Sequence, residues 1–176
     1  MKNILVTGGA GYIGSYFVNR LINLKFNVTV IDNLMFDQKP SFIKKKYTNL
    51  NFINGDVRDK NLIKSNLNKN DIVIPLAGIV GAPLSEKMPK ETKEINEDSI
   101  KYLTSICSKD HLIIMPVSNS GYGIGEKDKW CDENSPLNPI SLYGRTKVAA
   151  EKIITRFNIK LSCIQDSRNH LARNKA

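Results

Sequence analysis

Val6-Thr7-Gly8-Gly9-Ala10-Gly11-Tyr12-Ile13-Gly14-Ser15 decides the fold of this chain. It follows the apolar run Ile4-Leu5-Val6, which reads as a buried strand, and leads into Tyr16–Ile22, which reads as a helix. A glycine-rich turn between strand and helix suits a phosphate. Glycines let the backbone approach the anion, and the first free N–H groups of the helix point at it. The helix dipole adds partial positive charge there. The spacing is Gly8-x-x-Gly11-x-x-Gly14, although Gly9, Gly11 and Gly14 also satisfy the common G-x-G-x-x-G. Alone, three glycines are also compatible with any flexible turn of an α/β protein.

Asn27–Ile31 reads as a second strand ending at Asp32. A carboxylate there can accept both hydroxyl hydrogens of an adenosine ribose and would repel a 2′-phosphate, so NAD is expected over NADP. The other reading is a solvated acid at a strand end.

Further along, strand and helix patterns alternate without internal repeats. Phe42–Tyr47 reads as a short helix or irregular. Leu50–Ile53 reads as a third strand, running into Asn54-Gly55-Asp56-Val57. Asp56 could accept from an adenine amine while Val57 packs on the ring, or it could cap a helix over about 59–67; the two roles compete for one carboxylate. Asp71–Ile74 reads as a fourth strand. The small residues of Pro75-Leu76-Ala77-Gly78 would let a cofactor approach, and Gly81-Ala82-Pro83 reads as a loop. A long helix is expected over about 90–108, starting near Pro89, with Ile95, Ile100, Leu103 and Ile106 on its core face. Asn96 falls on it, either exposed or tying neighbouring backbone together.

His111–Val117 reads as a fifth strand with Ser118 at its end. The long polar loop from Gly121 to Pro139 has Trp130 as its one large apolar anchor. A helix over about 141–157 carries Tyr143 and Lys147, spaced i, i+4 on one face; by itself such a pair is more often a surface feature. The alternation predicts an α/β, Rossmann-type doubly wound parallel sheet with helices on both faces. In such sheets ligands collect outside the carboxyl ends of the strands, so Gly8, Asp32, Asp56, Ala77 and Ser118 would open on one side.

The chain has 176 residues, enough for one domain with a core. No apolar run is long enough to span a membrane. The first strand begins at the N-terminus, leaving no signal peptide, so a cytoplasmic protein is expected. Three widely separated cysteines, Cys107, Cys131 and Cys163, form no C-x-x-C or Cys/His cluster and suggest neither metal nor a disulfide framework. The net charge of +9 raises a nucleic-acid reading. Apart from Lys44-Lys45-Lys46 the lysines are dispersed, so a solvated basic surface is the better reading, and a milder functional one is that the charge helps attract a diphosphate substrate.

Ser118, Tyr143 and Lys147 together resemble the Ser–Tyr-x-x-x-Lys set of the short-chain dehydrogenase/reductase superfamily. Thr7–Gly14 resembles the turn of its extended branch, the sugar-nucleotide epimerases and dehydratases. Asp32-Asn33-Leu34, Gly55-Asp56-Val57, Leu76-Ala77-Gly78, Asn96, Ser118 through Tyr122-Gly123, and Tyr143-Gly144-x-x-Lys147 extend the likeness from residue 3 to about 157.

The resemblance implies Ser118, Tyr143 and Lys147 as catalytic residues. It implies NAD held by Gly8, Gly11, Tyr12, Ile13, Gly14, Asp32, Asn33, Asp56, Val57, Leu76, Ala77, Gly78, Asn96, Tyr143 and Lys147, with a nucleotide-sugar as substrate. Tyr143 would be the general acid/base. A free phenol has a pKa of about 10, and lowering it by about three units requires roughly 4 kcal/mol. The Lys147 ammonium and a nicotinamide cation would favour the phenolate. Ser118 would hold the reacting oxygen, Lys147 would also bind the nicotinamide ribose, and Asn96 would be structural or relay a proton.

Subtype follows by difference. The related 4,6-dehydratases carry an Asp-Glu pair directly after the Ser/Thr; here those positions are Asn119-Ser120. Neither serves as that acid or base at neutral pH, which leaves epimerisation, oxidation or reduction, or decarboxylation, with a 4-epimerase leading. Gly121 replaces the apolar residue usual in 4-epimerases.

Members of this family continue past the catalytic helix into a substrate lobe. Here 158–164 can start a sixth strand, and 165–176 is a polar tail. The expected organisation is therefore an NAD-binding domain over 1–164 without the C-terminal substrate lobe, completed by self-association or a complementing chain. The alternatives are a non-catalytic NAD-binding module and a basic nucleic-acid binder.

Overall fold

The computed structural model describes residues 2–37, 40–125, 130–132, 134–156 and, as backbone, 160–164. Six parallel strands form one sheet in the order β3-β2-β1-β4-β5-β6. They are β1 (Asn3–Thr7), β2 (Asn27–Asp32), β3 (Leu50–Asn54), β4 (Ile72–Pro75), β5 (Leu112–Pro116) and β6 (Lys160–Ile164). The predicted strands are all present, and the tail from 165 lies outside the described residues.

Alternation along the strands builds two cores. Leu5, Ile31, Val73, Ile113 and Met115 face one side, packing with Ile63 and Leu67 of α3 (Lys60–Leu67), Ile100 and Leu103 of α6 (Ser99–Ile106), and Ile154 of α7 (Leu142–Arg156). Ile4, Val6, Val28, Val30, Ile72 and Ile74 face the other, packing with Val18, Leu21 and Ile22 of α1 (Tyr12–Asn23) and Phe42 of α2 (Ser41–Lys44). A strand's side chains alternate between faces, so a sheet buried on both sides reads as continuous apolar runs.

Three expectations change. Gly81-Ala82-Pro83 is not a loop: Gly81, at φ +88°, leads directly into α4 (Ala82–Lys87), where Pro83 sits in the first turn and loses no needed N–H bond. The long helix is interrupted. It runs from α5 (Pro89–Lys93) through a π-helical turn, Glu94–Asp98, into α6. Trp130 is 68% exposed and does not anchor its loop.

The order of strands reverses beside β1, since the chain leaves β1 toward β2 and β3 and returns to place β4 on its other side. The carboxyl ends of β1 and β4 therefore diverge into a crevice, where ligands bind in sheets of this type.

Candidate active site

A cleft of about 980 Å³ opens at that crevice. Every site residue named above lines it, from the glycine turn and Asp32 to Ser118, Tyr143 and Lys147. Gly9 is the exception among the turn glycines. It lies under α1, where an added Cβ would stand 2.7 Å from Val30 Cγ1. The spacing that faces the cleft is thus Gly8-x-x-Gly11-x-x-Gly14.

Gly8 and Gly14 cannot carry side chains. Gly8 has φ +71°, and a Cβ there would collide with the Ala77 backbone at the end of β4. A Cβ on Gly14 would overlap the Gly8 carbonyl. Gly11 caps α1 without a side chain to accept from the first turn. The N-terminus of a 12-residue helix thus meets the cleft with its end open to an anion.

Asp32 already has a structural task. Its Oδ2 accepts from Ala10 N at 2.8 Å, and its Oδ1 accepts from Leu34 N at 2.8 Å. One carboxylate therefore ties the glycine turn to the tip of β2. Each oxygen keeps a lone pair for a further donor.

Asp56 is not the helix cap. Asp59 accepts from Asn61 N and Leu62 N and caps α3 instead. Asp56 takes Arg58 Nε (3.0 Å) and Arg58 N (2.9 Å) on Oδ1, with Arg58 Nη2 (2.8 Å) and Asn33 Nδ2 (3.1 Å) on Oδ2. The Arg58 side chain holds the Asp56 carboxyl down at about 2. Arg58 also donates to Glu94 Oε2 at 2.9 Å, fastening this corner to the π-helical turn. Sequence reading missed Arg58; its position two residues after Asp56 was the available signal.

Asn96 is buried in that turn, 4% exposed. Its Oδ1 accepts from Ile79 N at 2.8 Å, and its Nδ2 donates to Ile79 O at 2.9 Å. It thereby pairs with the extended chain after β4 as a strand would. Nδ2 also donates to Thr146 Oγ1 (3.3 Å), which donates to Tyr143 O (3.0 Å). Of the two readings of Asn96, the structure takes the backbone tie. Thr146, which carried no sequence signal, links it to the tyrosine's helix.

The start of α7 is fixed twice. Ser141 Oγ accepts from Gly144 N at 3.0 Å, and Glu86 Oε1 of α4 accepts from Leu142 N at 3.0 Å. Gly144 lets α7 pass against the Ser118 loop, since a Cβ there would stand 2.7 Å from Ser120 O. Tyr143 and Lys147 therefore point into the cleft and are not a surface pair.

Burial dominates their electrostatics. It pushes the Tyr143 phenol above its ordinary value, while a hydrogen bond with Ser118 pulls it down. Burial pushes Lys147 below its ordinary value, with Glu151 opposing. The expected lowering of Tyr143 by Lys147 is thus not a feature of the free site. Removing water disfavours both charged forms, and Ser118 supplies the one opposing effect on the phenol.

Among the described residues no group of three His, Cys, Asp or Glu is placed to hold a metal. Cys107 and Cys131 are free, and burial raises the Cys107 thiol to about 11. The side chain of Cys163 lies outside the described residues. No described helix is long and apolar enough to cross a membrane.

Fold and cleft define a Rossmann-type dinucleotide-binding architecture. More particularly, residues 4–161 match the NAD dependent epimerase/dehydratase family, and the chain belongs to it. It is 36% identical over 158 residues to a putative UDP-glucose 4-epimerase of Methanocaldococcus jannaschii, a match covering 88% of this chain and 50% of the relative. The solved UDP-glucose 4-epimerase from Brucella ovis in complex with NAD matches with a TM-score of 0.80 at 25% identity, over 94% of this chain and 51% of that one. An NAD dependent NDP-hexosamine 5,6-dehydratase involved in tunicamycin biosynthesis matches with a TM-score of 0.80 at 25% identity, over 94% of this chain and 54% of its own. The chain spans about half the length of these relatives.

Proposed function

We propose that this chain works as an NAD-dependent sugar-nucleotide epimerase-type enzyme, with 4-epimerisation as its reaction and residues 1–164 as its NAD-binding domain. The observation that carries this reading is the convergence of glycine turn, Asp32, Ser118, Tyr143 and Lys147 on one cleft of about 980 Å³. The residues fit the cofactor. The glycines of the turn and the open helix end suit a pyrophosphate, and Asp32 has acceptor capacity left for ribose hydroxyls. NAD, when bound, supplies the acceptor and donor of a hydride at the sugar carbon.

The chain's own residues handle the proton. Tyr143 takes it from a sugar hydroxyl and returns it; Ser118 hydrogen-bonds the same oxygen. Lys147 holds the nicotinamide ribose, and its charge favours the phenolate. Asp56 can serve an adenine amine only if Asn33 or Arg58 yields one of the bonds already made to it. A match to a 5,6-dehydratase as good as that to an epimerase means that backbone shape does not choose the reaction. Asn119 and Ser120 offer no carboxyl for water loss, which argues against dehydration, and the likeness to a putative UDP-glucose 4-epimerase favours epimerisation among the reactions that remain.

Calorimetric titration of the purified chain with NAD, and NADP as comparator, tests the cofactor reading. Interconversion of UDP-glucose and UDP-galactose, followed by NMR, tests the reaction. Binding that prefers NAD together with interconversion supports the proposal. NAD binding without turnover of any nucleotide-sugar identifies a non-catalytic NAD-binding module. Failure of the folded chain to bind NAD overturns both.

A further inference from the structure

The loop after β5 folds back on itself. Ser118 is extended, at φ −121° and ψ 142°, and precedes a 3-10 turn, Asn119–Tyr122. In that turn the Ser120 hydroxyl donates to Ser118 Oγ at 2.9 Å, and the Ser120 amide donates to the same atom at 3.3 Å. A serine hydroxyl has one proton and two acceptor lone pairs. Both donors come from residue 120, so the acceptor side of Ser118 is filled from within its own loop. Ser118 and Tyr143 line the same cleft.

We propose that Ser120 is a positioning residue: its hydroxyl and amide fill the acceptor side of Ser118 Oγ and turn the Ser118 proton toward Tyr143 and any substrate oxygen beside it. The consequence is a directed chain, Ser120 to Ser118 to Tyr143. Each O–H donation polarises the next, so the chain favours negative charge on the tyrosine oxygen. Without the Ser120 hydroxyl, Ser118 is free to accept from the phenol and so to hold Tyr143 in its protonated form. The reactive group is steadied by a side chain two residues away that need not touch the substrate.

The inference rests on the reading of Tyr143 as acid/base, but its test needs neither NAD nor turnover. Protein labelled with ¹³C at the tyrosine Cζ is titrated from neutral pH upward by NMR. The Tyr143 resonance is identified by its loss in Tyr143→Phe. Ser120→Ala is expected to raise the Tyr143 midpoint, and Ser120→Thr, which keeps the hydroxyl, to restore it. In a Ser118→Ala background, Ser120→Ala is expected to shift nothing further, because its effect passes through Ser118. Two outcomes overturn the proposal: an unchanged midpoint in Ser120→Ala, or an equal shift with and without Ser118. If Ser120→Ala does not fold, the comparison of Ser120→Thr with Ser120→Cys decides. A weak thiol donor must raise the midpoint where the hydroxyl does not, and equal midpoints overturn the proposal.

Discussion

The two ends of the cleft are built on opposite principles. At the Asp56 end, charge is paired: Asp56 meets Arg58 and Asn33, and Arg58 reaches Glu94. At the Tyr143 end, charge is disfavoured, and burial pushes the phenol up and the lysine down. The first end is finished before any ligand arrives. At the second, burial opposes charge on both groups, as happens at sites where a bound ligand supplies the missing charge. The cleft thus combines a hydrogen-bonded, charge-paired end with an end where burial opposes charge.

The sharpest way to break this comparison is to remove the tyrosine hydroxyl. Tyr143→Phe is expected to lower nucleotide-sugar turnover by about 10²–10⁴-fold, the usual worth of a positioned acid/base. Calorimetry should find NAD binding largely retained. Loss of both together would mean that Tyr143 belongs to the frame.

Gly8→Ala attacks the frame itself. Left-handed backbone without glycine and overlap with Ala77 together cost about 2–5 kcal/mol, and denaturant unfolding should register that loss. A stability equal to the parent chain's would show that the turn tolerates a Cβ and is not a fixed cradle.

Asn96→Ala leaves the Ile79 amide and carbonyl without their partner and deletes the link to Thr146. The expected loss is about 2–3 kcal/mol. Hydrogen exchange at the Ile79 amide should accelerate selectively. Uniform acceleration across the sheet would instead make Asn96 an ordinary core residue.

The smallest effect sharpens the contrast by pH. Asp56 is depressed from 3.8 to about 2, so its contribution is fully present above 3.8 and is lost as pH falls through about 2. The pair with Arg58 is partly exposed, which reduces its worth to about 1 kcal/mol. Arg58→Ala should therefore lower stability by about 1 kcal/mol near neutral pH, with the difference from the parent chain closing as pH falls through about 2. An unaltered acid limb would assign that limb to other carboxylates.

Most of the frame was legible because its signals are local. Apolar runs gave the strands, the glycine turn gave the first crossover, and Asp32 marked the end of β2. The partners were not legible. Nothing near Asn96 in the chain announces Ile79, 17 residues away, or Thr146, 50 residues away. Nor does anything near Leu142 announce Glu86. The helix carrying Asn96 was read as continuous because its apolar spacing tolerates a π-helical turn, whose extra residue is absorbed without disturbing Ile100 and Leu103.

The sequence by itself determined the doubly wound sheet, the turn that faces the phosphate position, and the types of residue around the cleft. These follow from periodicity and from the steric privilege of glycine, both properties of neighbours in the chain. Only the tertiary structure decided that Gly9 packs under the helix while Gly8 faces the cleft, and that Asp59 rather than Asp56 caps α3. It also decided that Tyr143 and Lys147 sit among buried surroundings that oppose their charge. Desolvation and long-range hydrogen bonding depend on what the folded chain brings beside a residue, and no local pattern encodes that.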